Sequence, residues 1–269
     1  MSYICPLCAE SLTQTEHGLQ CPNKHSFDRA KEGYVNLLPV QKKSSKAPGD
    51  NKLMMQARRE FLQKGFYQHL SDRINEVIVD LLPADATVLD LGCGEGYYTS
   101  RLNQALNTQC RANVFGLDIS KVAIRYASKR HRDIQFCVAS AFETPFADGF
   151  FDALLRIYAP SKGVELQRLI KRGGYLVTVT PGPQHHWFLK TIIYQQPKPH
   201  DEQPVLIEGF ELQHVERLQT EMTLIDTKDI SNFLNMTPYA WKLSEKQKTE
   251  LQQGLVCELD FIIQIHRRT

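Results

Sequence analysis

The sequence predicts an α/β fold built on a mostly parallel sheet, with a small metal-binding module before it. From residue 87 onward, short apolar strands alternate with helical segments, and a glycine-rich turn follows the first of these strands. Three cysteines and a histidine are crowded within residues 5–25. Alternating strands and helices imply crossover connections and parallel strands covered by helices on both faces. A chain of 269 residues suffices for one large domain and a small module.

The elements are predicted in chain order. Residues 1–38 form the small module, and residues 39–50, polar and with two prolines and a glycine, form a linker. Two helices follow within residues 51–82, separated by Gly65 and ended by Pro83. The large domain covers residues 51–269, with Ser120 capping a helix that runs to Arg130. Its strands are predicted at residues 88–91, 113–118, 134–139, 151–157 and 175–180, with late strands near 210–215 and 259–265 and helical pieces between about 227 and 253.

Composition and charge narrow the classes of function. The chain is 42% apolar and 23% charged, without a membrane-length apolar run or a signal-peptide pattern, so we expect a cytoplasmic protein with no membrane partner. The net charge of +2 conceals a segregation, since residues 24–64 carry ten Lys/Arg and four acids. This segment is either a solvated surface or a set of phosphate contacts, for which the linker residues Lys42, Lys43 and Lys46 are the best placed.

The N-terminal cysteines have the spacing of metal ligands. Seven cysteines, an odd number, argue against a disulfide framework. Cys5 and Cys8 form a C-x2-C pair, and Cys21 and His25 form a C-x3-H pair. Three cysteines and one histidine make a closed set of four protein ligands, which indicates structural rather than catalytic zinc. Zinc binding would supply the folding free energy that so small a module lacks. The alternative is that the three cysteines and the histidine occur together by chance in a disordered tail.

The glycine-rich turn predicts a ligand site. Residues 90–96 read Asp-Leu-Gly-Cys-Gly-Glu-Gly between the first strand and its helix, where glycines allow close backbone approach and the helix N-terminus offers free N–H groups. The third glycine is Gly96, one residue too early for a dinucleotide G-x-G-x-x-G pattern, and the P-loop lysine is absent. Asp118, which ends the second strand, could accept hydrogen bonds from two ribose hydroxyls. The alternative is a tight turn without a ligand.

This turn resembles the S-adenosylmethionine-binding turn of the Rossmann-like class I methyltransferases. The resemblance implies a mostly parallel sheet with a late antiparallel strand. It also implies cofactor contacts from Asp90, Gly92, Gly94, Glu95, Gly96 and Asp118.

Longer runs resemble one family more narrowly, the bacterial 23S ribosomal RNA (guanine-N1)-methyltransferases, including their macrolide-resistance members. The resemblance covers essentially the whole chain and rests on the zinc-ligand pattern and on the runs at residues 27–38, 54–59, 156–160, 180–183 and 236–238. It implies methylation of guanine N1 in the hairpin 35 region of 23S rRNA, at guanine 745 or at guanine 748 in the resistance branch. It further implies homodimers, a zinc module that helps to bind RNA, and cofactor contacts from Tyr67 and His185. We expect no DNA partner.

The chemistry constrains the rest of the site. Guanine N1 carries a proton at neutral pH, so a base or a stabiliser of the neighbouring oxygen must act. The atom lies on the Watson–Crick edge, so the base must be unpaired or flipped. Tyr158 and Pro160 could form a wall that stacks the guanine, and the pattern identifies no proton acceptor. A small-molecule methyltransferase would not need the zinc module, and a non-catalytic RNA binder would not need the intact turn and Asp118.

Overall fold

The computed structural model describes residues 3–42, 52–109 and 111–269. Two of the three linker lysines, Lys43 and Lys46, lie outside the described residues, and Lys42 is described only through its backbone. The predicted phosphate contacts of this linker therefore stay a prediction.

The N-terminal module is a three-stranded antiparallel sheet. Its strands are β1 (Thr13–Gln14), β2 (Gly18–Gln20) and β3 (Ser26–Asp28). The module packs directly against the large domain, because the Tyr3 ring stacks on Phe146 with centroids 5.0 Å apart. The Ile4 N–H also donates to the Pro145 carbonyl at 2.9 Å. These contacts bury the apolar side of a module too small to have a core of its own.

The large domain contains an eight-stranded sheet. In chain order its strands are β4 (Val35–Asn36), β5 (Thr87–Leu91), β6 (Asn113–Asp118), β7 (Gln135–Val138), β8 (Phe151–Ile157), β9 (Ile170–Pro181), β10 (Phe210–Leu224) and β11 (Leu255–Arg268). Their order across the sheet is β10-β11-β9-β8-β5-β6-β7-β4. Strands β4 to β9 pair in parallel, and β11 is antiparallel to both of its neighbours, which confirms the predicted sheet.

The last residues of the predicted module belong to this sheet. β4 pairs with β7 through Val35 and Cys137, and the Leu37 N–H donates to the Val138 carbonyl at 2.9 Å. The module is therefore joined to the large domain both through Tyr3 and through a shared sheet edge.

Eight α-helices cover the sheet within the described ranges. They are α1 (Lys52–Gln63), α2 (Gln68–Leu81), α3 (Tyr97–Gln109), α4 (Lys121–Arg130), α5 (Gly163–Leu169), α6 (Trp187–Ile193), α7 (Thr227–Asn235) and α8 (Glu245–Leu251). Gly65, at φ +83°, separates the first two helices, and α2 ends two residues before Pro83. The Ser120 hydroxyl accepts from the Ala123 N–H, so Ser120 caps α4 as expected. None of the helices in the described part of the chain is both long and apolar enough to cross a bilayer.

Three strands are longer than the sequence indicates, and one of them, β11, extends from Leu255 to Arg268 because it pairs with β10 along this length. β10 continues to Leu224 although most of its residues are exposed, because it forms a long edge ribbon with β11 and needs no regular apolar face. β9 begins at Ile170, ahead of the glycine pair at 173–174, and Gly173 adopts φ +77° within the strand. The C-terminal ends of β5, β6 and β8 lie side by side in the sheet, the usual place for a ligand in a parallel α/β fold.

Candidate cofactor and metal sites

The glycine turn is held tightly against the neighbouring strands. Gly92, Gly94 and Gly96 all have positive φ, at +81°, +56° and +85°. The N–H groups of Gly92 and Cys93 both donate to the Leu117 carbonyl on β6, at 2.8 and 3.0 Å. A Cβ at Gly92 would lie 2.5 Å from the Cβ of Ala159. The turn therefore needs glycine for backbone conformation, and at position 92 also for close packing.

Gly94 differs from its neighbours because open space surrounds it. A Cβ built there meets no protein atom within 4 Å. The Gly94 N–H donates to Asp118 Oδ2 at 3.0 Å, and Asp118 Oδ1 accepts from the Ser120 N–H at 2.7 Å. Free space over a glycine, next to a carboxylate at the end of the adjacent strand, fits a nucleoside with vicinal hydroxyls. The residues present thus fit S-adenosylmethionine, with Gly94 and Asp118 as its predicted holders.

The two acids within the turn, Asp90 and Glu95, are buried and interact with other side chains of the protein. Asp90 is buried, its Oδ2 accepts from the Thr99 hydroxyl at 2.6 Å, and burial raises its pKa to about 7. Glu95 is also buried, with Oε2 4.0 Å from both Arg59 Nε and Arg130 Nη1, and burial raises its pKa to about 7. In this structure Asp90 joins β5 to α3, and Glu95 joins the turn to α1 and α4. Direct cofactor contact by either carboxylate stays a prediction.

Tyr158 stands at the end of β8, beside the turn. Its backbone has φ +55°, a left-handed conformation that is strained for an aromatic residue and typical of functional sites. The side chain keeps 45% of its surface exposed, and Pro160 is exposed as well. Since Ala159 touches Gly92, the predicted wall and the glycine turn form one continuous surface.

Tyr67 and His185 come together in an aromatic cluster that reaches Tyr158. Both rings pack on Phe261, with centroid distances of 5.4 and 4.9 Å, and His185 lies 6.1 Å from the Tyr158 ring. His185 Nδ1 accepts from the Asp260 N–H at 3.2 Å, and burial lowers its pKa to about 3. The imidazole is therefore neutral and carries its proton on Nε2.

Sequence reasoning missed two members of this cluster. His186, at φ +55°, places Nε2 2.9 Å from the Tyr67 hydroxyl and stacks on His185 with centroids 3.8 Å apart. The Asp260 carboxylate accepts from the Gln184 N–H at 2.7 Å and from the Arg217 guanidinium at 2.8 and 2.9 Å. The adjacent histidines after Pro183 were a visible signal, whereas the Asp260–Arg217 pair depends on strand register and leaves no local pattern.

The four predicted zinc ligands converge. The ligand atoms of Cys5, Cys8, Cys21 and His25 all lie within 4.8 Å of one another, and the Cys8 and Cys21 sulfurs are 3.7 Å apart. Tetrahedral zinc with 2.3 Å bonds to sulfur requires sulfurs about 3.8 Å apart. Hydrogen bonds, led by the Glu10 N–H, lower the pKa of Cys8 to about 6, which favours the thiolate that a metal needs. The set fits zinc.

Several cations in the described part of the basic segment 24–64 have internal partners. Lys64 pairs with Asp229 at 2.6 Å, Arg29 donates to the Gly33 carbonyl at 2.8 Å, and Arg58 donates to the Met236 carbonyl at 3.3 Å. These cations help to hold the structure together. Phosphate contact by the segment as a whole stays a prediction.

Comparison with known families agrees with this geometry. The model of a zinc ribbon described as RlmA, N-terminal, matches residues 3–46, and a model described as a methyltransferase domain matches residues 82–238.

Individual relatives extend the likeness along the chain. A 23S rRNA (guanine(748)-N(1))-methyltransferase of Streptomyces fradiae is 32% identical over 88% of this chain and 85% of its own length. YxjB of Bacillus subtilis strain 168, provisionally named a 23S rRNA (guanine-N(1)-)-methyltransferase, is 31% identical over 97% of this chain and 96% of its own length. The chain therefore belongs to the family of 23S rRNA (guanine-N1-)-methyltransferases, which confirms the resemblance noted in its sequence.

Proposed function

We propose that this enzyme transfers a methyl group from S-adenosylmethionine to N1 of a guanine in the hairpin 35 region of 23S rRNA. The observation that carries the proposal is the continuity of the glycine turn with an exposed aromatic wall, through the contact between Gly92 and Ala159. The bound cofactor supplies an electrophilic methyl group. The chain's own contribution is to align a flipped guanine with it, between the turn and Tyr158.

The proposed holders of the cofactor are Asp90, Gly92, Gly94, Glu95 and Gly96 of the turn, together with Asp118, Tyr67 and His185. Open space at Gly94 and the Asp118 carboxylate support contacts to the ribose. His185 suits hydrogen-bond donation from Nε2 rather than proton abstraction, because its Nδ1 already accepts from the Asp260 backbone. A donor of this kind can stabilise charge on an oxygen while guanine N1 loses its proton.

Mapping the modified nucleotide tests the proposal. We expect 23S rRNA from a deletion strain to lack one 1-methylguanosine, and the wild-type chain to restore it. A reverse-transcription stop gives the position, for which we propose guanine 745, with guanine 748 as the alternative. Unchanged rRNA in the deletion strain, with intact binding of S-adenosylmethionine by the protein, would contradict the proposal. Methylation of a small molecule alone would favour the alternative reaction class.

The stacking wall gives a direct prediction. Tyr158→Ala removes the exposed ring, and stacking of one base on an aromatic side chain is worth about 1–3 kcal/mol. We therefore expect kcat/KM for the rRNA to fall roughly 5- to 150-fold, with S-adenosylmethionine affinity unchanged. Methylation kinetics on a hairpin 35 transcript and cofactor calorimetry provide both readouts. Tyr158→Phe keeps the ring and should behave like the parent, whereas a parental rate for Tyr158→Ala would eliminate stacking.

We also propose that the enzyme acts as a homodimer, as its family resemblance implies. Sedimentation velocity should then give the mass of two chains at micromolar concentration. A single-chain mass with full methylation activity would refute the dimer without affecting the reaction.

A further inference from the structure

The exposed face of α4 carries only positive charge. Between residues 121 and 132 there are five cations and no acid: Lys121, Arg125, Lys129, Arg130 and Arg132, which we call the α4 face. All five are exposed, while Ala123, Ile124 and Ala127 form the buried side of the helix. Lys121, Arg125 and Lys129 are four residues apart and so form one row, with about 6 Å between successive positions.

This row is unfavourable for the isolated helix. Like charges four residues apart destabilise a helix by about 0.2–0.5 kcal/mol per pair. In α8, by contrast, Lys248 pairs with Glu245 at 2.8 Å and Lys246 lies 3.9 Å from Glu250. A row of like charges also occurs in α2, where Asp72 pairs with Arg101 of α3 and Glu76 pairs with Arg73. Within the described residues Lys121, Lys129 and Arg132 have no ion pair. A solvated surface alone does not account for a helix face without any acid.

The α4 face borders the N-terminal module, α1 and the glycine turn. The helix begins three residues after Asp118, the predicted ribose holder. Arg125 Nε pairs with Glu32 of the N-terminal module at 2.8 Å. On another side the Arg59 guanidinium of α1 stacks over the Tyr126 ring at 5.3 Å. The face thus connects the zinc module, α1 and the glycine turn.

From these observations we infer that the α4 face binds the phosphate backbone of the RNA substrate beside the target guanine. A chain of phosphates suits this face, because Lys121, Lys129 and Arg132 have no ion pair among the described residues. Each phosphate contact releases condensed counterions, and none requires a particular base. The inference rests on the proposed function, since it presupposes that the substrate is RNA. It assigns positioning of the backbone to α4, a region that the basic segment 24–64 does not include.

Charge neutralisation tests the inference. The variant combines Lys121→Gln, Lys129→Gln and Arg132→Gln, which removes three cations that have no ion pair in the described chain. A matched control combines Lys198→Gln, Lys246→Gln and Arg172→Gln, which removes the same types of charge from exposed positions on other elements. Binding of both to a hairpin 35 transcript is measured between about 50 and 200 mM salt, a range over which phosphate contacts are strongly salt dependent.

We expect the α4 variant to bind the transcript at least about tenfold more weakly than the parent, with a salt slope shallower by about 2–3. The control should keep the parental slope, and both should keep the parental affinity for S-adenosylmethionine, which reports on folding. The single variant Lys129→Gln should lower the slope by about 0.7–0.9 and guards against misfolding of the triple variant.

The outcomes separate the inference from the proposed function. Equal salt slopes for the parent and the α4 variant would overturn the inference, as would equal losses of transcript affinity in the α4 variant and the control. In either case, methylation of the rRNA by the parent would still support the proposed function. A parent that binds the transcript through α4 but does not methylate it would overturn the function instead.

Discussion

Gly94→Ala is expected to weaken S-adenosylmethionine binding by about 5- to 150-fold while leaving the fold intact. The added methyl group would meet no protein atom within 4 Å, so it collides only with a ligand that occupies the space over the turn. Forcing extra methyl volume into a packed contact costs typically 1–3 kcal/mol, which corresponds to that loss of affinity. Isothermal calorimetry with the cofactor measures the effect directly.

Gly149 provides a closely matched control for the substitution at Gly94. Gly149 also has φ +56°, and a Cβ there also meets nothing within 4 Å. Both alanine variants therefore carry the same backbone cost, about 1–2 kcal/mol for a left-handed residue. Thermal unfolding should shift equally in the two, and only Gly94→Ala should lose cofactor affinity. If the two variants bound S-adenosylmethionine equally well, the cofactor would not lie over Gly94.

Removing half of the metal set is expected to abolish zinc binding and rRNA methylation together. The variant combines Cys21→Ser with His25→Ala, which leaves two of the four ligands that lie within 4.8 Å of one another. Structural zinc contributes about 10–16 kcal/mol of apparent binding free energy in small modules, so its loss unfolds β1 to β3. Native mass spectrometry should show one zinc ion per chain in the parent and none in the variant.

Cofactor binding distinguishes this effect from general unfolding. The glycine turn and Asp118 belong to the large domain, so affinity for S-adenosylmethionine should stay within about twofold of the parent, a change of less than 0.5 kcal/mol. His17→Ala is the matched control, because His17 lies in the same module with an exposed side chain and outside the ligand set. Full rRNA methylation by the zinc-free variant would show that the module does not serve the substrate.

The sequence predicts best what depends on neighbouring residues. The metal ligands can be predicted because each of the two ligand pairs is close in sequence. Strands β5, β6 and β8 can be predicted because each contains a short run of mostly apolar, buried residues. The long exposed β10 is underestimated, since an edge ribbon needs no apolar periodicity. The approach of Tyr67 to His186, 119 residues apart, is a product of sheet order that no local pattern reveals.

The distribution of charge along the chain predicts binding surfaces with the same limit. Counting charge along the chain singles out residues 24–64, yet Lys64 and Arg58 of that segment have internal partners. In the shorter acid-free run of α4, Arg125 pairs with Glu32, whereas Lys121, Lys129 and Arg132 have no ion pair among the described residues. Charge becomes informative once the three-dimensional neighbours are known.

The strand β4 fixes where the zinc ribbon lies relative to the glycine turn. It lies before residues 39–50 in the chain, so the zinc ribbon is attached to the sheet upstream of the linker. The position of the predicted metal ligands relative to the glycine turn is therefore set by the pairing of β4 with β7 and by the packing of Tyr3 on Phe146. A change in linker length would leave the pairing of β4 with β7 in place, so the predicted metal and cofactor sites should keep their spacing.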